Sequence, residues 1–276
     1  MNFEKTLRQT VDDYGLMAKK ALGQNFLLNQ NITDKIIKLS LEKQGLTDFS
    51  EKDVLEVGPG PGGLTRAIIK QNPRHLTVVE MDERCIEIMN ELKNQTDVLM
   101  DVLNQDALAL DISNIASKPL QIVSNLPYNI SVPLLTSWLE NIHCIEAMTL
   151  MFQKEVADRI CAPVKTKDYG RLSVIAQLTC RIERLLTLNP DCFVPAPKIF
   201  STVLLFLPLE DAPHLEILHK VSELTKLAFA QRRKMVRQSL KSVPNLEKVL
   251  DLAGVLPTMR AEEINPEQYL KMAELL

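Results

Sequence analysis

The sequence has no apolar run long enough to cross a bilayer. Its longest, Val203 to Leu209, is seven residues with a proline inside it, against the about 20 that a spanning helix needs. The first 25 residues alternate charged and apolar positions and hold no hydrophobic leader core, so the expectation is a cytoplasmic protein with no membrane partner. Histidine is scarce: there are four, none in HExxH spacing. No GxSxG elbow and no GxxxxGKS/T phosphate loop occur, which argues against a metal hydrolase, a serine esterase and a P-loop NTPase. The five cysteines (Cys85, Cys144, Cys161, Cys180, Cys192) lie at least 12 residues apart. Without a CxxC pair they make neither a zinc knuckle nor a redox dithiol. They read as reduced thiols acting as small core hydrophobes, and no metal site is expected. Internal repeats and low-complexity segments are also lacking.

What is present is ordinary globular composition, 46% hydrophobic and 24% charged over 276 residues, a length for one large or two modest domains. β-rich apolar runs fall at Val54–Val57, Leu76–Glu80, Val98–Leu103, Gln121–Ser124, Ala147–Phe152, Val174–Thr179 and Thr202–Leu207. Helical periods lie between the first five, the clearest at Leu64–Lys70, Glu83–Lys93, Val132–Glu140 and Lys154–Cys161. This alternation predicts a mostly parallel sheet covered on both faces. The last two runs, joined by the proline-rich stretch Asn189–Pro197, predict an antiparallel hairpin at one sheet edge. Beyond Pro208 the pattern is helical only. The expected division is therefore an α/β domain over 1–209 and a small helical domain over 210–276.

The net charge of −3 argues against a protein that coats nucleic acid indiscriminately, but the cations are unevenly placed. Val221 to Lys241 carries six (Lys226, Arg232, Arg233, Lys234, Arg237, Lys241) against the single acid Glu223. Such a run is either a solvated helix face or a local nucleic-acid contact. Smaller groups are Lys19 with Lys20, and Lys165, Lys167 and Arg171.

The first strand candidate ends in Gly58-Pro59-Gly60-Pro61-Gly62-Gly63 before a helix. Strand, glycine turn and helix form the nucleotide-binding context, because glycines let a ligand approach the backbone. Gly58, Gly60 and Gly63 satisfy GxGxxG literally, so a dinucleotide oxidoreductase is one reading. Against it, prolines flank Gly60, and Glu56 sets a carboxylate at the strand tip. A carboxylate repels a pyrophosphate and suits a cationic end such as an amino-acid ammonium. Glu80, 22 residues after Gly58, is spaced to grip ribose hydroxyls. Asp106, after the third strand, can accept from an adenine amine. Glu56, the glycines, Glu80 and Asp106 together fit S-adenosylmethionine better than NAD.

The fourth strand ends in Ser124-Asn125-Leu126-Pro127-Tyr128-Asn129-Ile130-Ser131. An aryl amine is a poor nucleophile because its lone pair is delocalised into the ring. The Asn125 side-chain oxygen and the Leu126 carbonyl can accept its two hydrogens and turn the lone pair toward a methyl donor. Pro127 fixes the turn, and Tyr128 offers a face for a base to stack on. Catalysis on this plan is mainly positioning and needs no metal.

These stretches resemble the family of small-subunit rRNA adenine dimethyltransferases. The resemblance rests on Lys19-Lys20-Ala21-Leu22-Gly23-Gln24-Asn25-Phe26-Leu27, the loop from Glu56 to Gly63, Asn125 to Ser131, Phe193-Val194-Pro195-Ala196-Pro197-Lys198, and Phe229-Ala230-Gln231-Arg232-Arg233-Lys234. Two departures stand out: Gly62-Gly63 extends the loop glycines, and Ile199-Phe200 puts a bulky residue before Ser201. The resemblance implies a Rossmann-like class I methyltransferase sheet of seven mostly parallel strands with a small C-terminal all-helical domain. It implies that Asn25, Leu27, Glu56, Gly58, Gly60, Glu80, Asp106 and Asn125 surround S-adenosylmethionine. It further implies that Asn125 and Leu126 hold the target amine, Pro127 shapes the turn, and Tyr128 and Phe193 sandwich the flipped adenine. Arg232, Arg233, Lys234 and Arg237 would contact rRNA from a basic helix. The implied reaction is dimethylation of two adjacent adenosines near the 3′ end of 16S rRNA in the assembling 30S subunit, by a monomer.

Three other readings remain open at the level of sequence. A large-subunit rRNA adenine methyltransferase shares the Asn-x-Pro-aromatic logic. A DNA adenine methyltransferase would more typically carry an acid in place of Asn125. A non-catalytic RNA-binding factor could keep the fold without turnover.

Overall fold

The computed structural model describes residues 3–16, 25–115 and 119–276. Lys19, Lys20 and the rest of the 19–24 part of the first motif lie outside the described residues. Seven strands form one sheet: β2 (Asp53–Val57), β3 (His75–Glu80), β4 (Met100–Asn104), β5 (Leu120–Ser124), β6 (Ile145–Gln153), β7 (Cys180–Leu188) and β9 (Ser201–Pro208). Their order is β4-β3-β2-β5-β6-β9-β7. The pairs β2–β3, β3–β4, β2–β5 and β5–β6 are parallel, and β9 runs antiparallel to β6. Every residue of β2 and of β5 is buried, as befits central parallel strands covered on both faces. Apart from this sheet, β1 (Phe26–Leu27) pairs antiparallel with β8 (Phe193–Val194).

Helices α1 (Leu7–Asp13), α2 (Gln30–Gln44), α3 (Gly63–Ile69), α4 (Glu83–Lys93) and α5 (Tyr128–Glu140) follow in the first part of the chain. Asp82 caps α4 by accepting the Arg84 N–H at 3.1 Å, a preferred use of aspartate at that position. Downstream come α6 (Lys154–Ile160), α7 (Arg171–Thr179), α8 (Leu215–Ala230), α9 (Val236–Ser239), α10 (Leu246–Leu252) and α11 (Pro266–Glu274). No helix among the described residues is long and apolar enough to cross a membrane.

The chain divides into two compact units. One holds Met1–Trp138, His143–Lys154 and Glu183–Phe206, and the other Leu139–Ile142, Glu155–Ile182 and Leu207–Leu276. The helical unit thus takes in residues 155–182, which the 209/210 boundary places with the sheet. The cause is shared burial: Tyr169, Val174 and Leu178 pack into the same apolar core as Val221 and Leu224 of α8. The strand expected at Val174–Thr179 is a correction of the same origin, for this segment is helix α7. Its Gln177 Nε2 donates to the Ile160 and Ala162 carbonyls at 3.1 and 3.0 Å, and its Ser173 hydroxyl to the Arg159 carbonyl at 2.5 Å. These side chains satisfy the last carbonyls around α6, which a strand would leave bare. The edge strand begins only at Cys180.

Phe229 lies between Tyr169 and Tyr269, with ring centroids 6.1 and 6.2 Å away. Both tyrosines are fully buried. Their hydroxyls donate to the Ile264 carbonyl at 3.0 Å and the Ala261 carbonyl at 2.9 Å. Tyr169→Phe leaves the Ile264 carbonyl without its donor in a dry core, a loss of about 1–3 kcal/mol. Urea unfolding followed by circular dichroism should show a lower midpoint, and an unchanged midpoint would mean that this bond is not worth its burial.

Candidate active site

The candidate site forms at the carboxyl ends of β2, β3 and β5, where open parallel sheets take their ligands. Ser124, the last residue of β5, donates from its hydroxyl to the Val57 carbonyl at 2.5 Å and ties the tips of β5 and β2 together. Gly58 continues the ladder by donating to the Val79 carbonyl at 2.9 Å. One cavity at this edge is lined by Asn25, Glu56, Gly58, Glu80, Asn125 and Tyr128, with Leu27, Gly60, Leu126 and Pro127 completing its walls. A second hollow shares Gly58, Glu80 and Pro127 with it and adds Met81, Asp106 and Leu108.

The glycine loop must turn tightly and let another segment come close. Gly60 has φ +54°, and a Cβ there would stand 3.0 Å from the Phe26 ring. At Gly63 a Cβ would lie 2.6 Å from the Leu27 carbonyl oxygen, a clash with backbone that cannot move aside. The loop therefore accepts β1 as a lid wall only because both positions are glycine. Asn125 reaches the same segment, its Nδ2 donating to the Asn25 carbonyl at 3.4 Å. That bond turns Oδ1 of Asn125 to the opposite side as an acceptor.

Glu56 is 1% exposed, and its Oε2 has no hydrogen-bond partner among the described residues. Burial raises its pKa to about 8, a hydrogen bond from Thr65 works the other way, and the Glu80 charge adds to the rise. A buried carboxyl with an unmet oxygen in a cavity wall is a receptor for a cationic group. Glu80 is oriented by its own turn: Oε1 accepts the N–H groups of Met81 and Asp82 at 2.8 and 3.0 Å, leaving Oε2 toward the cavities. Asp106 caps a short 3-10 turn by accepting the Leu108 N–H at 2.9 Å. Tyr128 is half-buried, and its hydroxyl pairs with the Ser201 hydroxyl at 2.6 Å. Burial raises the Tyr128 pKa and the Ser201 bond lowers it, so the phenol stays neutral and the ring is fixed.

The structure thus gathers Asn25, Leu27, Glu56, Gly58, Gly60, Glu80, Asn125, Leu126, Pro127 and Tyr128 around one cavity, with Asp106 in the adjoining hollow. Two expectations need correction. Phe193 is 2% exposed and packs in the apolar core, where it pairs with Leu27. Its ring backs the cavity wall, and the sandwich with Tyr128 is not assembled. The basic cluster is not a helix, because residues 231–234 form the turn between α8 and α9. Within it Arg232 is committed internally, Nε to Glu262 at 2.6 Å and an Nη to the Thr166 carbonyl at 2.9 Å. Arg233, Lys234 and Arg237 are exposed. Ser201 carries no signal of its role in the sequence, since only the pairing of β9 with β6 brings it to Tyr128.

Between the 4.5 of an unburied glutamate and about 8, the folded protein holds a proton on Glu56 that the unfolded chain has lost. Its contribution to stability is complete below the lower value and drains away as pH climbs to the upper one. In the ligand-free protein, Glu56→Gln should remove this decline across that window. Thermal unfolding measured from acid to weakly alkaline pH checks it, and parallel curves for both proteins would contradict the burial argument.

A family of ribosomal RNA adenine dimethylases matches residues 15–276 of the chain. Over 273 residues the chain is 45% identical to Ribosomal RNA small subunit methyltransferase A of Cereibacter sphaeroides, covering 98% of this chain and 96% of the relative. The protein of the same description in Paramagnetospirillum magneticum is 40% identical over 98% of this chain and 94% of its own length. Among solved structures, a dimethyladenosine transferase from Plasmodium falciparum superposes with TM-score 0.73 at 24% identity, over 88% of this chain and 94% of that one. The 23S rRNA methyltransferase ErmE gives 0.67 at 26% identity, over 91% and 98%. Its sheet order, its glycine loop under a buried carboxyl, its Asn-Leu-Pro-Tyr turn and this match over nearly its whole length make the chain a member of the ribosomal RNA adenine dimethylase family.

Proposed function

We propose that the protein transfers methyl groups from S-adenosylmethionine to the exocyclic amines of two adjacent adenosines in the 3′-terminal hairpin loop of 16S rRNA, during assembly of the 30S subunit. The observation that carries the reading is Asn125, held at the tip of β5 in the same cavity as the buried, half-bonded carboxyl of Glu56. Identity of 40–45% to small-subunit enzymes along nearly the whole chain, against 26% to a 23S enzyme, favours small-subunit over large-subunit rRNA.

The donor set fits the proposed cofactor. Oε2 of Glu56 is placed for an ammonium, the backbone at Gly58 and Gly60 for the amino-acid portion, Glu80 for ribose hydroxyls and Asp106 for the adenine amine. Asn25 and Leu27 cover it from the N-terminal side. When bound, S-adenosylmethionine supplies an electrophilic sulfonium methyl and leaves as a neutral thioether. Asn125 Oδ1 and the Leu126 carbonyl accept the two amine hydrogens of the target adenine and direct its lone pair along the transfer line. Tyr128, anchored by Ser201, stacks on the base once it is out of the helix stack. The amine proton departs after transfer, so no strong base is required of the chain. Phe193 supports this arrangement from behind Leu27. The helical unit would grip rRNA phosphates through Arg233, Lys234 and Arg237, and the enzyme would act as a cytoplasmic monomer.

The direct test is methyl transfer from labelled S-adenosylmethionine to unmethylated small subunits, with large subunits and DNA alongside, followed by nucleoside analysis. Dimethyladenosine in small-subunit rRNA alone is expected, and label in large subunits would move the protein to the other rRNA. In the same assay Asn125→Ala should lose about 100-fold or more in turnover, the scale of a misplaced reacting group, while equilibrium dialysis shows the cofactor still bound. Retained turnover would remove Asn125 from the reaction. Neutralising Arg233, Lys234 and Arg237 should flatten the plot of log affinity against log salt by about 1 for each phosphate no longer neutralised. An unchanged slope would place the RNA face elsewhere.

A further inference from the structure

Of the eight phenylalanines, all within the described residues, Phe200 alone is exposed, at 46%. An exposed phenyl ring has no polar atom to recover the cost of its hydration. It sits where the resemblance breaks, as the bulky residue before Ser201, and nothing in the site described so far uses it. Its neighbours share the character: Ile199 is 38% and Val194 49% exposed, and Lys198 is exposed beside them. Pro195 and Pro197 stiffen this stretch by fixing φ.

The position is held from both sides. The Phe200 carbonyl accepts the Lys154 N–H at 2.9 Å, which pins the backbone at the start of β9. The next residue, Ser201, is fully buried and holds the Tyr128 hydroxyl at 2.6 Å. Adjacent Cα atoms lie about 3.8 Å apart, so a ring on residue 200 and the ring of Tyr128 belong to one continuous edge of the cavity mouth. Strand alternation puts Ser201 inward and its neighbour outward.

We infer that Phe200 is a second stacking platform, which takes the unpaired base next to the adenine held at Tyr128, with Lys198 facing the intervening phosphate. The inference rests on the proposed RNA substrate. A single-stranded loop offers π-faces on successive nucleotides and an anionic backbone between them, and an exposed aromatic ring beside a lysine is complementary to both. A substrate with two adjacent adenosines gives the platform a particular use: while one adenine is in the cavity, its neighbour has a place outside it.

The test compares wild type, Phe200→Ala, Phe200→Leu and Phe200→Tyr on unmethylated small subunits, reading KM for the subunits, kcat and cofactor affinity separately. Because residue 200 is exposed, all four proteins should melt together. Phe200→Ala should raise KM for the subunits about 5- to 100-fold, the range for stacking of one base on one ring, with cofactor affinity unchanged. Phe200→Tyr should restore wild-type KM and Phe200→Leu should not, since leucine matches the apolar bulk but has no π-face. Wild-type KM in Phe200→Ala, or equal rescue by leucine and tyrosine, overturns the platform while leaving the methylation reaction standing. A wild-type protein that leaves small subunits unmethylated overturns the substrate reading and this inference with it.

Discussion

The parallel pairing of β2 with β5 is the constraint on which the site depends. Val54 lies beside Gln121 and Leu55 beside Ile122, so the two strands end at the same level with Glu56 and Asn125 at neighbouring tips. Everything chemical in the cavity follows from that register. The strand that carries the amine-positioning Asn-Leu-Pro-Tyr turn meets the strand that carries the carboxyl and the glycine loop. The Ser124 hydroxyl on the Val57 carbonyl is a small device for holding the junction. A parallel sheet brings such tips together across long stretches of sequence, because each crossover helix returns the chain to the same end.

Much of the site is legible in the sequence. The runs ending in Val57, Glu80 and Ser124 bear their functional residues at or just past their ends, and a strand-helix alternation admits few other topologies. Glu56, Gly58, Gly60, Glu80, Asp106, Asn125 and Tyr128 are all readable because each lies next to a local signal: a glycine turn, a strand end or a proline. Ser201 is not readable, since its role needs β9 to pair with β6 in the register that sets Ser201 opposite Gln153. Helix α7 escapes sequence reading for a related reason. Its Val174-Ile175 pair looks like strand, but Gln177 and Ser173 have carbonyls to satisfy that only the neighbouring helix presents.

The basic cluster shows how residue type and residue role separate. Four cations within six positions look equivalent in sequence. In the fold, Arg232 has become an internal tie between Glu262 and Thr166, and its bidentate fork suits that task better than a lysine would. Charge counting overstates what remains for a partner. Phe193 is the converse case among aromatics: a motif residue whose ring is spent on the core behind Leu27, while the neighbour that departs from the motif, Phe200, keeps its face in solvent.

The lid wall of the cavity is made by residues near the start of the chain. Leu27 pairs with Phe193, and Phe26 with Val194, so β1 has no strand partner until most of the sheet has been synthesised. During translation the sheet strands β2 to β6 leave the ribosome first and can pair among themselves, whereas the wall over the glycine loop must wait for the late stretch around residue 193. The nascent protein therefore acquires its central sheet before it acquires a closed pocket, and ligand capture is confined to chains whose synthesis has passed β8.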